Sequence, residues 1–384
     1  MEKVVTLGIA GIGNAGHAVL RSLGKVDGVI LTAIADVRKE AVEPFSGKNK
    51  EIETFDSVEK MCNSRNVDAV WIATPNEFHE QHTIAAANYG KHVICEKPMA
   101  LSLNECDRMV EATKKNSVQL LMHSKVSESP IVKMREVVAS GRLGRVIQVN
   151  TWNYKGWLNS PRLPSEVDTS KGGGVLYRQG PHQIDIVRYI GGGMARSVRA
   201  VAGRWNPHFD TEGNFTAFLE FEDGTPATLV FNGYGYFDIT ELTWGIGEGG
   251  GKVSDYFKRD RPTAPVDASA RTSMPLRAET RQWQGDSQQP FYGLTLVSCE
   301  RGDIRQSPDG LYLYTGEGRE EIFCSPHLDR GIELQKLHEA VVHERPVFPD
   351  GLWGRASLEV ALAILQSSRE GREIYLSRQV PTPS

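Results

Sequence analysis

Close to its start the chain spells Gly11-Ile12-Gly13-Asn14-Ala15-Gly16, and Asp36 follows Gly16 by twenty residues. Glycines at this spacing have three distinct uses at a strand-to-helix turn. Gly11 permits the tight turn, Gly13 leaves the backbone open to a pyrophosphate, and Gly16 lets the helix pack closely on the sheet. Asn14 and Ala15 would open that helix, where unpaired N–H groups and the positive end of the dipole attract phosphate. Asp36 could then accept hydrogen bonds from the adenosine ribose hydroxyls. Its charge would repel a 2′-phosphate, so the expected cofactor is NAD rather than NADP, with Arg38 able to moderate that preference. A bare Gly-x-Gly-x-x-Gly can also be a turn without function. Here an apolar strand precedes it, a helix follows, and an acidic residue ends the next strand, which is the context a dinucleotide site requires.

Two further segments belong at the same end of such a sheet. Ala73-Thr74-Pro75-Asn76, with His79 three residues on, closes a strand that starts at Ala69. Glu96-Lys97-Pro98 closes the next one, His92 to Cys95. Ligands of open α/β sheets bind outside the carboxyl ends of the strands. Thr74, Pro75, Asn76, His79, Glu96 and Lys97 are therefore expected to face the nicotinamide end of the cofactor. A lysine there can donate to a substrate oxygen and stabilise a developing alkoxide; it can equally be a surface lysine paired with Glu96. Later, Gly172-Gly173-Gly174 leads into Arg178-Gln179-Gly180-Pro181-His182-Gln183-Ile184-Asp185. Pro181 suits the first helical position. His182 then falls in the first turn, where the dipole favours the neutral imidazole, ready to take a proton. Asp185, three residues on, shares that helical face and could orient the ring. A purely structural, hydrogen-bonded histidine is the other reading.

The elements that must position these residues can be read from periodicity. Val4 to Ala10, Ile30 to Ala35, Ala69 to Thr74, His92 to Cys95 and Leu120 to His123 are short apolar strands. Helical stretches at Ala15 to Leu23, Ser57 to Asn63, Glu77 to Tyr89 and Leu103 to Lys115 alternate with them. Repeated βα units imply a doubly wound parallel sheet over residues 1–125. The pattern changes over 126–384, the expected substrate-binding and oligomerisation domain. Val146 to Tyr154 reads as a strand, and Phe215 to Phe221, Asp223-Gly224 and Ala227 to Phe231 read as a hairpin. A large, mainly antiparallel sheet with helices on one face is expected, closing with a helix at Leu352 to Ser368 and an edge strand at Glu373 to Leu376. Residues 247–290 read as an arm or lid carrying Tyr256, Phe257 and Trp283.

Bulk properties exclude several classes. A length of 384 residues with 40% hydrophobic and 24% charged residues suits a two-domain globular chain. A net charge of −4 argues against a general affinity for nucleic acid or anionic membrane. No apolar run is long enough to span a bilayer and the N-terminus lacks a signal-peptide layout, so the cytoplasm is the expected compartment. Five scattered cysteines without a Cys-x-x-Cys pair indicate neither a disulfide framework nor a zinc site, and no metal is expected.

With these motifs the sequence resembles the glucose-fructose oxidoreductase, inositol dehydrogenase and rhizopine-catabolism (Gfo/Idh/MocA) family. The glycine fingerprint, the Ala-Thr-Pro-Asn loop, Glu-Lys-Pro and the glycine-rich run before a His-x-x-Asp helix carry the likeness. It implies a Rossmann domain followed by an α/β domain whose open sheet serves homodimer or homotetramer contacts. It also implies that Lys97 and His182 are catalytic, and that the Lys97–Pro98 bond is cis. One position departs from the family: Arg178 stands four residues before the histidine, where its sugar and inositol enzymes often have an aspartate. An arginine cannot act as that base but binds carboxylates bidentately, which suggests a carboxylated substrate unless Arg178 faces the cofactor or a structural acid. Stretches around Trp244 and Cys299 look like the branch of 4,5-dihydroxyphthalate dehydrogenases, which implies a phthalate cis-dihydrodiol and a place in aromatic catabolism. Trp152, Tyr154 and Trp157, with Lys155 and Arg162 nearby, could line an aromatic-acid pocket, or Trp152 and Tyr154 could be one face of a strand in the core. A sugar, inositol or sugar-acid dehydrogenase, an NAD-retaining glycosidase and a non-catalytic dinucleotide sensor are the alternatives.

Overall fold

The computed structural model of the chain describes residues 3–46, 52–253 and 288–383. The chain forms two compact units, one of Met1–Ser124 with Leu328–Leu358 and the other of Lys125–His327 with Glu359–Ser384. Residues 328–358, expected within the second domain, thus belong to the first. Local periodicity identifies the helices there but carries no information about which core they complete.

In the first unit a six-stranded sheet runs in the order β3 (Glu53–Phe55), β2 (Val29–Ala35), β1 (Val5–Ala10), β4 (Ala69–Ile72), β5 (His92–Cys95), β6 (Leu120–Met122). Every strand pair in it is parallel. Helices α1 (Asn14–Ser22), α2 (Lys39–Val42), α3 (Val58–Cys62), α4 (His79–Asn88) and α5 (Leu103–Lys115) connect the strands. The consecutive residues Leu7, Gly8, Ile9 and Ala10 are all buried, as expected of a strand covered on both faces, which cannot show period-2 alternation. β1 pairs with both β2 and β4, which makes its carboxyl end the topological switch point where open sheets bind ligands.

The second unit holds a nine-stranded sheet. Its strands are β7 (Val146–Tyr154), β8 (Ala195–Gly203), β9 (Asn214–Phe221), β10 (Pro226–Asn232), β11 (Leu294–Cys299), β12 (Gly302–Ser307), β13 (Gly310–Thr315), β14 (Gly318–Phe323) and β15 (Ile374–Tyr375). Their order is β14-β13-β12-β11-β7-β10-β9-β8-β15. Only β10 against β7 is parallel among the recorded pairs. The β9–β10 hairpin turns at Gly224, whose φ of 82° explains the Asp-Gly signal. Helices α6 (Ser129–Ala139), α7 (Gly174–Arg178) and α8 (Gly180–Ile190) follow in this unit. Ile131 and Met134 of α6 and Ile184 and Val187 of α8 pack with Val149, Phe215, Leu219 and Leu229 into one core. Late in the chain, α9 (Gly331–His343) returns to the first unit, placing Leu334 and Leu337 among Val5, Leu7 and Trp71. α10 (Gly351–Glu370) starts in the first unit and ends in the second. Most of the expected arm, with Tyr256, Phe257 and Trp283, lies outside the described residues. At its described ends Gln288 N donates to Gly250 O at 3.0 Å and Phe291 N to Gly247 O at 3.1 Å.

Candidate active site

At the carboxyl end of β1 each glycine has its own environment. Gly11 has φ of 91°, and a Cβ there would lie 2.7 Å from Ala73 O. A Cβ on Gly16 would lie 2.1 Å from Gly11 O, so α1 can sit against the turn only without one. Gly13 is extended and a Cβ on it would meet nothing within 4 Å. No side chain caps α1, which starts at Asn14 and Ala15. The open space and the uncapped N–H groups fit a pyrophosphate.

Asp36 directly follows β2 and is held by four hydrogen bonds. Its carboxylate accepts from Ile12 N at 2.8 Å and from Arg38 N, Nε and Nη2 at 2.9, 3.0 and 2.9 Å. Burial raises its pKa, but the bonds from Arg38 and Ile12 outweigh burial, and the net shift is downward. The four contacts fill the lone-pair sites of a carboxylate. Ribose hydroxyls would therefore exchange for the two side-chain bonds of the partly exposed Arg38.

His79 is buried and ties two loops together. One ring nitrogen lies 2.9 Å from Thr74 O and the other 2.8 Å from Pro98 O. Thr74 Oγ1 contacts His82 Nδ1 at 2.9 Å. His79 thus clasps the Thr74-Pro75-Asn76 loop to the turn after Lys97, a positioning task where the sequence suggested a cofactor contact. The Lys97–Pro98 peptide is cis. Glu96 is buried, and its Oε1 accepts from Arg330 Nε at 2.9 Å. Burial pushes the Glu96 carboxyl upward, but Arg330, His123 and Lys97 outweigh it and hold it at about 2. His123 Nδ1 also lies 3.0 Å from Glu333 Oε1. Arg330 and Glu333 come from the returning segment and have no local signal linking them to Glu96.

In the second unit Gly174, with φ of 81°, starts α7 beneath the buried Glu212, whose Oε1 accepts from Leu176 N at 3.0 Å. Pro181 sits at the start of α8, and His182 is buried in its first turn. The His182 ring packs edge-on against Tyr292, with centroids 4.7 Å apart. Tyr292 Oη donates to Gln179 O at 2.7 Å, and burial pushes its phenol well above the usual range. Asp185 is buried one turn on and acts electrostatically on Arg188.

The candidate substrate residues separate. Arg178 Nη2 donates to Glu166 Oε1 at 2.8 Å, the structural acid left open as an alternative to a substrate carboxylate. Arg162 is buried; it donates twice to Trp157 O, at 3.0 and 2.8 Å, and lies over the Trp157 ring at 4.0 Å. Trp152 is 38% exposed. Tyr154, two residues on, shares its face of β7 and packs against Phe237. Neither belongs to the core face, which on this strand carries Val149, Thr151 and Asn153. That face is identified by α8, whose Gln183 Nε2 donates to Thr151 Oγ1 at 3.3 Å and Val230 O at 3.1 Å. Asn153, Gln183 and Tyr292 lie on the α8 side of the sheet and were not assigned from sequence, whereas Lys155, named beside the aromatic pocket, lies over the Tyr292 ring that packs on His182. Period-2 alternation along β7 would have marked Asn153, a polar residue in an otherwise inward row. Among the described residues no group of His, Cys, Asp and Glu is placed to hold a metal ion, and no helix is long and apolar enough to cross a membrane.

Comparison with known proteins agrees with this architecture. The profile of the Gfo/Idh/MocA oxidoreductase family, NAD-binding Rossmann fold, matches residues 5–124. The profile of the family's C-terminal domain matches residues 131–240. The 1-carboxy-3-chloro-3,4-dihydroxycyclohexa-1,5-diene dehydrogenase of Comamonas testosteroni is 29% identical over 380 residues, covering 94% of each chain. The myo-inositol 2-dehydrogenase of Thermotoga maritima is 30% identical over 197 residues, half of this chain and 57% of that one. A crystal structure from Bordetella bronchiseptica RB50, described as a candidate dehydrogenase, is 36% identical with a TM-score of 0.86, covering 97% of this chain and 100% of that one. With both domains matched and the glycine turn, Asp36 and Glu96-Lys97-Pro98 in place, the chain belongs to the Gfo/Idh/MocA family of NAD-dependent oxidoreductases.

Proposed function

We propose that the protein oxidises the cis-dihydrodiol of a carboxylated cyclohexadiene, the first choice being phthalate 4,5-cis-dihydrodiol, which yields 4,5-dihydroxyphthalate. The observation that carries this reading is the near full-length likeness to a dehydrogenase whose name specifies a carboxylated dihydroxycyclohexadiene. NAD, when bound, supplies the hydride acceptor. Gly13, Asn14 and Ala15 present backbone to its phosphates, and Asp36 takes the ribose hydroxyls. His182 removes the proton of the hydroxyl being oxidised, and Lys97 donates to the oxygen as negative charge develops there. The resulting hydroxy-dienone tautomerises to a catechol, and aromatisation draws the oxidation forward. Arg178, bound to Glu166, fits poorly as a direct carboxylate anchor, because displacing its partner would leave the buried Glu166 only the longer ion pair with Arg162 at 3.7 Å and the bond from Leu163 N.

A homo-oligomer through the open face of the nine-stranded sheet belongs to the same proposal. Leu294, Trp152, Val230, Thr216 and Val201 are successive cross-strand partners on that face. Trp152 and Val201 are exposed in the single chain and Leu294 and Val230 half-buried, and a mainly apolar row across five strands marks an interaction surface.

The test is NADH formation by the purified protein with NAD and the phthalate dihydrodiol, beside a monocarboxylated cyclohexadiene diol, myo-inositol and simple sugars. Turnover of the carboxylated diols alone is the expected result. Turnover of a polyol instead would replace the reading with a sugar or inositol dehydrogenase.

A further inference from the structure

We infer that Lys155 and Asn153 form a carboxylate-anchoring site beside His182, and that in this structure the protein's own Glu248 occupies its anion position. The inference rests on the proposed carboxylated substrate and identifies which residues of this chain recognise that group.

Asn153 and Lys155 follow Thr151 at alternate positions along β7, on the face covered by α8. Lys155 N donates to Asn232 O at 2.9 Å, so the strand geometry continues to that residue. The Lys155 ammonium lies 5.0 Å from the centre of the Tyr292 ring and 5.6 Å from that of Phe231. Tyr292 is the ring that packs on His182. The cation and the proposed base therefore share one aromatic wall, and a flat six-membered ring bearing a carboxylate suits that wall.

Asn153 is 1% exposed, and neither its amide nitrogen nor its amide oxygen has a hydrogen-bond partner. Buried amides are almost always paired, and one left open at a site asks for a partner supplied from outside the protein. Glu248 shows what kind of group suits the lysine. Its carboxylate accepts from Lys155 Nζ. The Lys155 side chain is 18% exposed and that of Glu248 is 37% exposed, so the anion reaches the cation from the solvent side. Glu248 is borne on a glycine turn in which Gly247 N donates to Gly251 O at 3.1 Å. Rotation of the exposed carboxylate back into water would leave Lys155 to a substrate carboxylate. Arg178 offers no comparable exchange, because Glu166 is itself buried.

The test uses the full-length protein saturated with NAD and measures benzoate and benzamide binding by calorimetry. Lys155→Met is expected to weaken benzoate about tenfold or more while leaving benzamide unchanged, the loss of one charge-assisted contact. Glu248→Gln is expected to tighten benzoate several-fold, because the competing charge is gone. Lys155→Arg retains benzoate binding, which guards against a Lys155→Met protein that fails to fold. Equal benzoate affinity in Lys155→Met and the parent, or no benzoate binding by Glu248→Gln, overturns the anchor. The binding readout is separate from turnover. A protein that ignores the dihydrodiol yet loses benzoate selectively in Lys155→Met refutes the reaction and keeps the anchor. Dihydrodiol turnover with an unchanged KM in Lys155→Met does the reverse.

Discussion

Lys97 and Glu96 are adjacent in sequence, and their surroundings give them different work. Glu96 is buried against Arg330, while its charge also interacts with Lys97. Lys97→Ala should lower turnover by about 10²–10⁴-fold, the range of a positioned proton donor, with NAD affinity preserved; an unchanged rate would remove Lys97 from the mechanism. Arg330→Met tests the buried pair. The Glu96 pKa is depressed from its ordinary 4.5 to about 2, so its stabilisation is fully present above 4.5 and is lost as pH falls towards 2. Without Arg330, only His123 and Lys97 oppose burial, so the Glu96 pKa should rise from about 2. The variant should lose about 3–5 kcal/mol at neutral pH, the usual cost of breaking a buried pair. The gap to the parent should narrow on acidification, as Glu96 in the variant takes up a proton. Urea unfolding at pH 7 and pH 5 measures both effects, and a pH-independent gap would contradict the charge argument.

At the scale of elements, the β1–α1 turn separates two kinds of glycine that look alike in sequence. Gly16→Ala forces a Cβ onto Gly11 O. It should destabilise the protein by about 1–3 kcal/mol, as overpacking against rigid backbone does, and weaken NAD binding with it. Gly13→Ala meets open space, so thermal stability should stay near that of the parent while NAD affinity falls. Melting curves with and without NAD distinguish them; equal losses of stability would mean that Gly13 also serves the fold. β7 teaches a related lesson. Its span Val146–Tyr154 was readable from residue types alone, but Trp152 and Tyr154 drew attention as aromatics although they lie opposite α8. The residues on the α8 side are Thr151 and Asn153, as strand period requires.

At the scale of the whole molecule, the open sheet face predicts self-association. Val201→Glu places a charge at an exposed position of this row and should shift the sedimentation of an oligomer towards the monomer, with NAD binding retained. Sedimentation unchanged from an oligomeric parent would move the interface elsewhere. The order of βα units, the glycine turn, Asp36, the Glu-Lys-Pro turn and the β9–β10 hairpin were legible in the sequence, because each rests on local chemistry: a positive φ, an apolar run, a turn residue. Tertiary structure alone decided that residues 328–358 return to the first unit and that Arg330 meets Glu96 across 234 positions. It likewise decided that Arg178 is held by Glu166, and that the Lys155 ammonium and the His182 ring share the Tyr292 wall. Such pairings arise when distant segments bury charge and aromatic surface together, and the energy that selects them exists only once the packed core has brought the partners within reach.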